Sequence, residues 1–412
     1  MEAMATLTRN FRVLWFGSLI TDLGNAMTLP FIVLYIQTLG DYSTTQLNFL
    51  GAAAFAVTYA CKALVAPLWG RLADQKGRKL MCLRASGMMT LTILGVGLAP
   101  NVIVLLILRA AQGAFSGYIN NANALISITV PAEQRGQWLS KLVTGSISGT
   151  LMGPLLGSLL ANTVGYRGAF VATSSLMALV FVMTWWGVQE KVTAVSRATL
   201  PPLRPILHQL GGRFICALLT SLLVVQATTN AITPLLSLLV GQLAPQATAQ
   251  TIILMTGIVA AAPGLATILM AGRVGRILDR LGAGRCLVIF LILAIVDLLL
   301  TSLVHQVAWL VGLRLILGIA DAALLPALQV MTVEHVPHAA FGRVFSLNQS
   351  AQACGNVVGP GLAVIVANWW GYQSIFIVTA GLQLMALMLW VAYFSQQRPH
   401  YIALNGLTIA LL

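Results

Sequence analysis

Charge is what this chain has least of. Only 8% of its 412 residues are Asp, Glu, Lys or Arg, against 58% hydrophobic, whereas soluble domains carry about a quarter charged residues. A soluble domain is excluded, and apolar runs of roughly 20 residues read as membrane spans. Acid is scarcer still, with ten Asp and Glu against 23 Lys and Arg and a net charge of +13. That balance does not mark a nucleic-acid partner. The basic residues sit in short loops between apolar runs, as cytoplasmic loops do. Cysteine is sparse too, and Cys61, Cys82, Cys216, Cys286 and Cys354 stand apart without a CxxC spacing. Neither a disulfide framework nor a metal site is expected. The five histidines are scattered, and His335 and His338 have no acid beside them but Glu334. An HExxH or DDxxD cluster is missing, so neither an enzyme nor a cofactor is expected. A cleavable leader is not legible either. Arg9 and Arg12 precede an apolar stretch too long for a signal peptide, which reads as the first permanent span.

What is present is written twice. Gly70, Asp74 and Gly77 in GRLADQKGRK return as Gly275, Asp279 and Gly282, a shift of 205. Arg109 and Gly113 return as Arg314 and Gly318 by the same shift. Gly149, Gly153 and Pro154 return as Gly355, Gly359 and Pro360, and Pro131 and Gly136 as Pro337 and Gly342, all shifted by 206. Two homologous halves follow, and duplicated helical bundles with a site at their seam are the architecture of secondary transporters.

The expected fold is an all-α membrane protein of 12 transmembrane helices in two pseudo-symmetric six-helix bundles. Spans are read at roughly 10–37, 47–70, 80–99, 102–128, 137–161 and 168–189, then 213–241, 250–272, 285–304, 307–333, 342–367 and 373–395. The organisation is 1–190 for the first bundle, 191–212 for a linker holding Pro201, Pro202 and Pro205, 213–396 for the second bundle, and 397–412 for an apolar tail too short to span. Loop charge alternates: Lys76, Arg78, Lys79, Arg135, Lys191, Arg273, Arg276 and Arg280 mark one side, and Arg167 stands nearly alone on the other. Both termini are therefore expected in the cytoplasm, the chain in the cell membrane.

Physical roles attach to the repeated motifs. Gly70 and Gly77 free the turn between the second and third spans for a sharp bend. Asp74 can accept from a helix N-terminus or pair with a cation, and Arg78 brings charge to the same loop. Such a cluster, with its copy at Asp279, can latch one face of a transporter shut. Gly145, Gly149, Gly153 and Gly157 recur every fourth residue and let another membrane helix approach closely. Pro154 removes a backbone donor beside them and bends the helix, and Gly355, Gly359 and Pro360 repeat the device. A pivot and a static packing seam are both compatible with it.

These motifs carry a resemblance. GRLADQKGRK is similar to the signature loop of the major facilitator superfamily, LRAAQG (108–113) to its fourth-helix arginine motif, and GSISGTLMGPLLG (145–157) to the fifth-helix motif of its drug:proton antiporters. NANALI (121–126) and FSLNQS (345–350) resemble the MdtG-type multidrug efflux proteins within it. The resemblance covers the chain up to the tail. It implies that the first and fourth helices line a central cavity.

Charges inside spans are the functional candidates, since each costs about 2.5–3.5 kcal/mol at mid-span and seeks a partner in the bundle interior. Asp22 lies about 18 Å into the first span and Arg109 about 10 Å into the fourth from the opposite side. Across a core about 30 Å thick these depths nearly coincide, so a direct interaction is expected, with Asp22 as the proton site and Arg109 its modulator. A structural ion pair that never titrates is the competing reading. Asp321 and Arg314, seven residues apart on the tenth span, form a second acid–base pair, and Asp297 on the ninth span ranks below them. Lys62 lies about 12 Å inside the second span and is expected to point inward, toward Asp22 or a helix end. Asn25, Tyr35, Tyr59, Phe115, Asn120 and Asn123 complete the candidates for an apolar, amide-bearing cavity; they suit lipid-facing or packed positions as well.

The function expected is proton-coupled efflux of amphipathic drugs across the cytoplasmic membrane by alternating access. The alternative is transport of a sugar, metabolite or lipid without proton coupling. The expected partners are a small amphipathic substrate, protons and the lipid bilayer, with no nucleic acid, and the chain is expected to act as a monomer.

Overall fold

The computed structural model describes residues 2–130, 135–190, 211–336 and 341–402. The linker as far as residue 210, Pro131, Pro337 and the tail from residue 403 lie outside the described residues. Among the described residues every regular element is helical. Only a helix or a closed barrel satisfies its own backbone polar groups inside lipid.

Ten described segments are long and apolar enough to cross a membrane. One of them, Thr144–Gly187, turns back at Gly165, whose φ of 74° only glycine adopts freely, and so crosses twice as the fifth and sixth spans. The first helix, Glu2–Met27, carries Arg9, Arg12 and Asp22 and is not among the ten, yet it packs along the fifth span. With these two the count returns to twelve. The second and third spans are Thr44–Lys76 and Arg78–Gly97, separated by Gly77 at a φ of 92°. In the second half, the eighth to twelfth spans are Ala249–Leu281, Ala283–Thr301, Val307–His335, Phe341–Trp370 and Tyr372–Ile402.

Three spans are interrupted. The first breaks around Pro30 before Ile32–Gln37, and the seventh around Pro234, between Gly212–Ala231 and Leu236–Leu243. Proline lacks the donor that a continuing helix needs, and the two breaks are copies of each other in the repeat. The fourth span breaks at Ser116–Gly117, between Val102–Phe115 and Tyr118–Thr129, with Gly117 at a φ of 121°. The carbonyls freed there are taken by the third and second spans. Arg84 Nη2 donates to Ser116 O at 2.9 Å, its guanidinium lies 3.6 Å from the Trp69 ring, and Trp69 Nε1 donates to Ala114 O at 2.7 Å. Arg84→Met is expected to cost about 2–3 kcal/mol, from a charged hydrogen bond and a cation–π contact. A fall in melting temperature in detergent with insertion preserved is the measurement; an unchanged melting point would remove the pin.

Exposed tryptophans lie near both ends of the bundle, Trp309, Trp369 and Trp370 at one and Trp185 and Trp186 at the other, as rings that favour the lipid–water interface do.

The halves meet in the middle and at the end remote from the termini. Gly257 of the eighth span lies against Ser158 and the Pro154 carbonyl of the fifth, and Gly264 against Leu151. At the far end Asn48 Nδ2 donates to Asn368 Oδ1 at 2.6 Å, and Tyr372 Oη donates to Asn48 Oδ1 at 2.8 Å. Toward the terminal end the second span is uncovered, with Leu64 and Leu68 76% and 62% exposed. The Asn48 contacts tie the two halves together far from the termini.

Two hydrogen bonds converge on Asn48, each worth about 1 kcal/mol net. Asn48→Ala is therefore expected to favour opening of the far end by about 2 kcal/mol, roughly 30-fold in population. Spin-label distances across that end test it; an unchanged distribution would deny Asn48 a latching role.

Candidate functional site

One charged cluster joins the first, second and fifth spans. Asp22, half-buried on the first span, accepts a hydrogen bond from the Ser146 hydroxyl of the fifth span. Asn25, one turn along, is the other polar side chain beside it. The cation within its electrostatic reach is Lys62 of the second span. Lys62 is exposed, and its ammonium stands 5.9 Å from the Tyr59 ring centroid.

The direct Asp22–Arg109 interaction expected from their depths is not made. Arg109 is 5% exposed and turns to the second span, where Nε donates to Ala54 O at 3.3 Å and Nη1 to Gln112 Oε1 at 3.0 Å. Depth along a helix fixes height, not azimuth, and here azimuth decides. Tyr59 is within electrostatic reach of both. Gly113 lets the Arg109 helix reach the second span, because a Cβ there would overlap the Thr58 backbone. Thr58 Oγ1 in turn donates to Arg109 O at 3.1 Å. In the second half Gly318 lies in the same way against the Pro263 backbone.

The second half presents amides and one acid. Gln226 Nε2 and Asn230 Nδ2 of the seventh span donate to Asn356 Oδ1 of the eleventh at 3.0 and 2.8 Å. Thr229 Oγ1 stands 3.1 Å from Asp321 Oδ2. Asp321 thus joins the tenth span to the seventh, while Arg314, 6% exposed, stays within electrostatic reach of it without a hydrogen bond.

A sequence profile described as the Major Facilitator Superfamily matches residues 14–255 and 218–407. The chain belongs to the major facilitator superfamily. Among its curated relatives in that superfamily are proteins called Multidrug resistance protein MdtG. The one from Dickeya zeae is 37% identical over 90% of this chain and 91% of its own length. The one from Salmonella typhimurium is 38% identical over 91% and 93%. Solved structures share the fold. The nucleoside transporter NupG superposes with a TM-score of 0.77 at 13% identity, covering 93% of this chain and all of that one. The human organic anion transporter MFSD10 gives 0.67 at 18% identity, covering 93% and 99%.

The other candidates on this facilitator differ in exposure. Phe115 is half-buried beside Trp69, Asn120 is exposed, and Asn123 is half-buried with Oδ1 unpaired. Tyr35 does not line a cavity. It is 1% exposed, its hydroxyl donates to Val96 O and Gly97 O at 3.0 Å each, and its ring meets Phe170. The break at Pro30 turns the short helix Ile32–Gln37 onto the end of the third span, where unpaired carbonyls need a donor.

Of the two glycines expected to free the signature loop of this facilitator, Gly77 makes the turn, whereas Gly70 lies inside the second-span helix with open space around it. The side chains of Asp74 and Asp279 lie outside the described residues. The acceptor at the start of the third span is Glu190, at the end of the sixth. Its carboxylate takes Arg78 N at 2.8 Å and Lys79 N at 2.7 Å. Nothing in the loop's spelling points to an acid 112 residues away. Sequence reasoning also misses the polar side chains Ser146, Gln226, Thr229, Asn230 and Asn356, although Gln226, Thr229 and Asn230 recur at helical spacing on one face, a stripe legible in advance.

The glycine motifs do pack helices. A Cβ at Gly149 or Gly157 would overlap the Leu19 or Met27 carbonyl of the first span, and Gly145 and Gly153 lie against Trp15 and Ala26. Gly355 and Gly359 lie in the same way against Leu223 and Ala227 of the seventh. Pro154 and Pro360 sit within these helices.

Proposed function

We propose that this facilitator exports amphipathic, largely apolar compounds from the cytoplasm in exchange for protons, by alternating access between its two bundles. The observation that carries the reading is Asp22, an acid at the seam of the first and fifth spans, with Lys62 as the cation in its reach among the described residues. Proton arrival would neutralise Asp22 and release it from the field of Lys62, which changes the balance of charge that a substrate meets. The multidrug-resistance names of relatives 37–38% identical support the drug class. The mostly apolar cavity-facing spans favour drugs over a sugar, which would require many convergent hydrogen-bond groups.

In this reading the basic loops put both termini in the cytoplasm, so the Asn48 contacts lie on the outer side. The bundles are 1–190 and 213–396, joined by the linker 191–212, and the chain works as a monomer without catalysing any reaction. The gate residues Gly70, Asp74, Gly77, Arg78 and Asp279 would hold the inner face when it closes.

The experiment is reconstitution in vesicles with an imposed pH gradient, following ethidium and internal pH together. Ethidium accumulation matched by counter-movement of protons supports the proposal. Ethidium flux indifferent to the pH gradient would reject the coupling, and proton-linked flux of a sugar with none of ethidium would reject the substrate class.

A further inference from the structure

One group of charges lies away from the Asp22 cluster and has no role in the mechanism above. Asp297 of the ninth span is 2% exposed, and neither of its carboxylate oxygens has a hydrogen-bond partner. Arg314 of the tenth span is 6% exposed, with Nε and Nη2 likewise unpartnered. The two are within electrostatic reach of each other, and Arg314 is also within reach of Asp321. No other charged group bears on Asp297 among the described residues: the tenth span contributes Arg314 and Asp321, and the eighth and twelfth spans, also packed against the ninth, contribute none.

Charge balance makes this arrangement informative. Two carboxylates share one guanidinium, so the fully ionised cluster would hold a net negative charge in a medium where an unpaired ion costs several kcal/mol. One proton makes the cluster neutral. The hydrogen bonding says where that proton sits. Asp321 has Thr229 Oγ1 at 3.1 Å, although the same hydroxyl lies 2.9 Å from Val225 O, and Asp321 is half-buried against the seventh span. Asp297 has no donor at all, and a buried carboxylate without donors is the costlier ion.

We infer that Asp297, Arg314 and Asp321 form a one-proton site in the second half, with the proton resident on Asp297 while Arg314 serves Asp321. The ligand is a proton, because the guanidinium already present repels a metal cation. The site gives the second bundle a way to register the charge state of the seam. When Asp321 is neutralised from the cavity, by a proton or by leaving Thr229 for a cationic substrate, Arg314 is free to turn to Asp297 and release its proton. One positive charge is gained, as a proton or as the cationic substrate, and one proton is lost from Asp297, so the cluster with its ligand stays neutral. The assignment does not depend on Asp22 being the coupling site.

Infrared difference spectroscopy on the full chain in lipid vesicles tests this without any substrate. A buried protonated carboxyl gives its own C=O stretching band, which shifts in heavy water, and any share from Asp22 is removed in an Asp22→Asn background. The band is expected at neutral pH in that background, lost in Asp297→Asn and retained at a shifted frequency in Asp297→Glu. Asp321→Asn is expected to weaken it, since Arg314 then turns fully to an ionised Asp297. A band that survives Asp297→Asn, no band in the unsubstituted site, or loss in Asp297→Glu as well would each overturn the assignment. Failure of the drug-export reading would leave these spectra as they are.

Discussion

Asp22→Asn is expected to abolish accumulation driven by a proton gradient while leaving substrate exchange across the membrane intact. Asparagine keeps the shape of the side chain and still meets the Ser146 hydroxyl, so packing between the first and fifth spans survives. What it removes is the ability to take and release a proton opposite Lys62. Ethidium is a monocation, so its one-for-one exchange for a proton moves no net charge, and each unit of imposed pH difference, worth about 1.4 kcal/mol, sustains a gradient of about tenfold. That gradient is the expected loss. Counterflow of labelled ethidium against unlabelled ethidium, which needs alternating access but no net driving force, is expected to continue. If pH-driven accumulation persists in the variant, Asp22 is not the coupling acid and the second-half cluster inherits the role. If counterflow stops as well, Asp22 is required for binding or for folding.

Lys62→Met is the companion variant. In the cluster as described, Lys62 stands where an Asp22–Arg109 interaction was expected, and its loss should alter the pH profile of transport. Arg109→Lys, by contrast, removes the Nε and Nη1 bonds to Ala54 O and Gln112, since lysine lacks the forked geometry. Its effect is expected first on stability.

The difference between these residues shows what a sequence reveals in this fold. Twelve spans, two halves and the glycine seams were legible because they are periodic properties of one chain. Apolar length measures membrane thickness, and a repeat of 205–206 residues carries its own register. Helix azimuth is not a periodic property of that kind. Whether Arg109 faces Asp22 or the Ala54 carbonyl depends on rotations of two helices set by Gly113 against Thr58, and no residue count encodes that. Breaks are intermediate. Pro30 and Pro234 announce theirs, but Ser116–Gly117 reads as ordinary apolar helix until Arg84 and Trp69 are seen holding its carbonyls. Glu190 was illegible for a further reason: it caps the third span from a position remote in sequence, and such a contact leaves no local pattern.

The glycine seam yields the largest effect on the fold itself. Gly149→Val and Gly157→Leu are each expected to prevent stable assembly of the first bundle. A Cβ at either position would fall on the backbone carbonyl of Leu19 or Met27, and a backbone cannot rotate aside as a side chain can. Overpacking a filled interior costs about 1–3 kcal/mol when side chains absorb it. Here the first and fifth spans must separate, so the cost lies at or beyond the top of that range and takes the Asp22–Ser146 hydrogen bond with it. Little folded protein is expected in the membrane, with early melting of what is made. Gly359→Val should do the same through Ala227 of the seventh span. Gly361, two residues further in the same helix, has open space where a Cβ would stand, with no neighbouring atom within 4 Å. Gly361→Ala is therefore expected to be neutral or stabilising, since alanine holds a helix better than glycine. A motif that acts by composition would suffer at both positions, whereas one that acts by contact suffers only where a neighbouring backbone stands. Equal damage at Gly359 and Gly361 would refute the contact account.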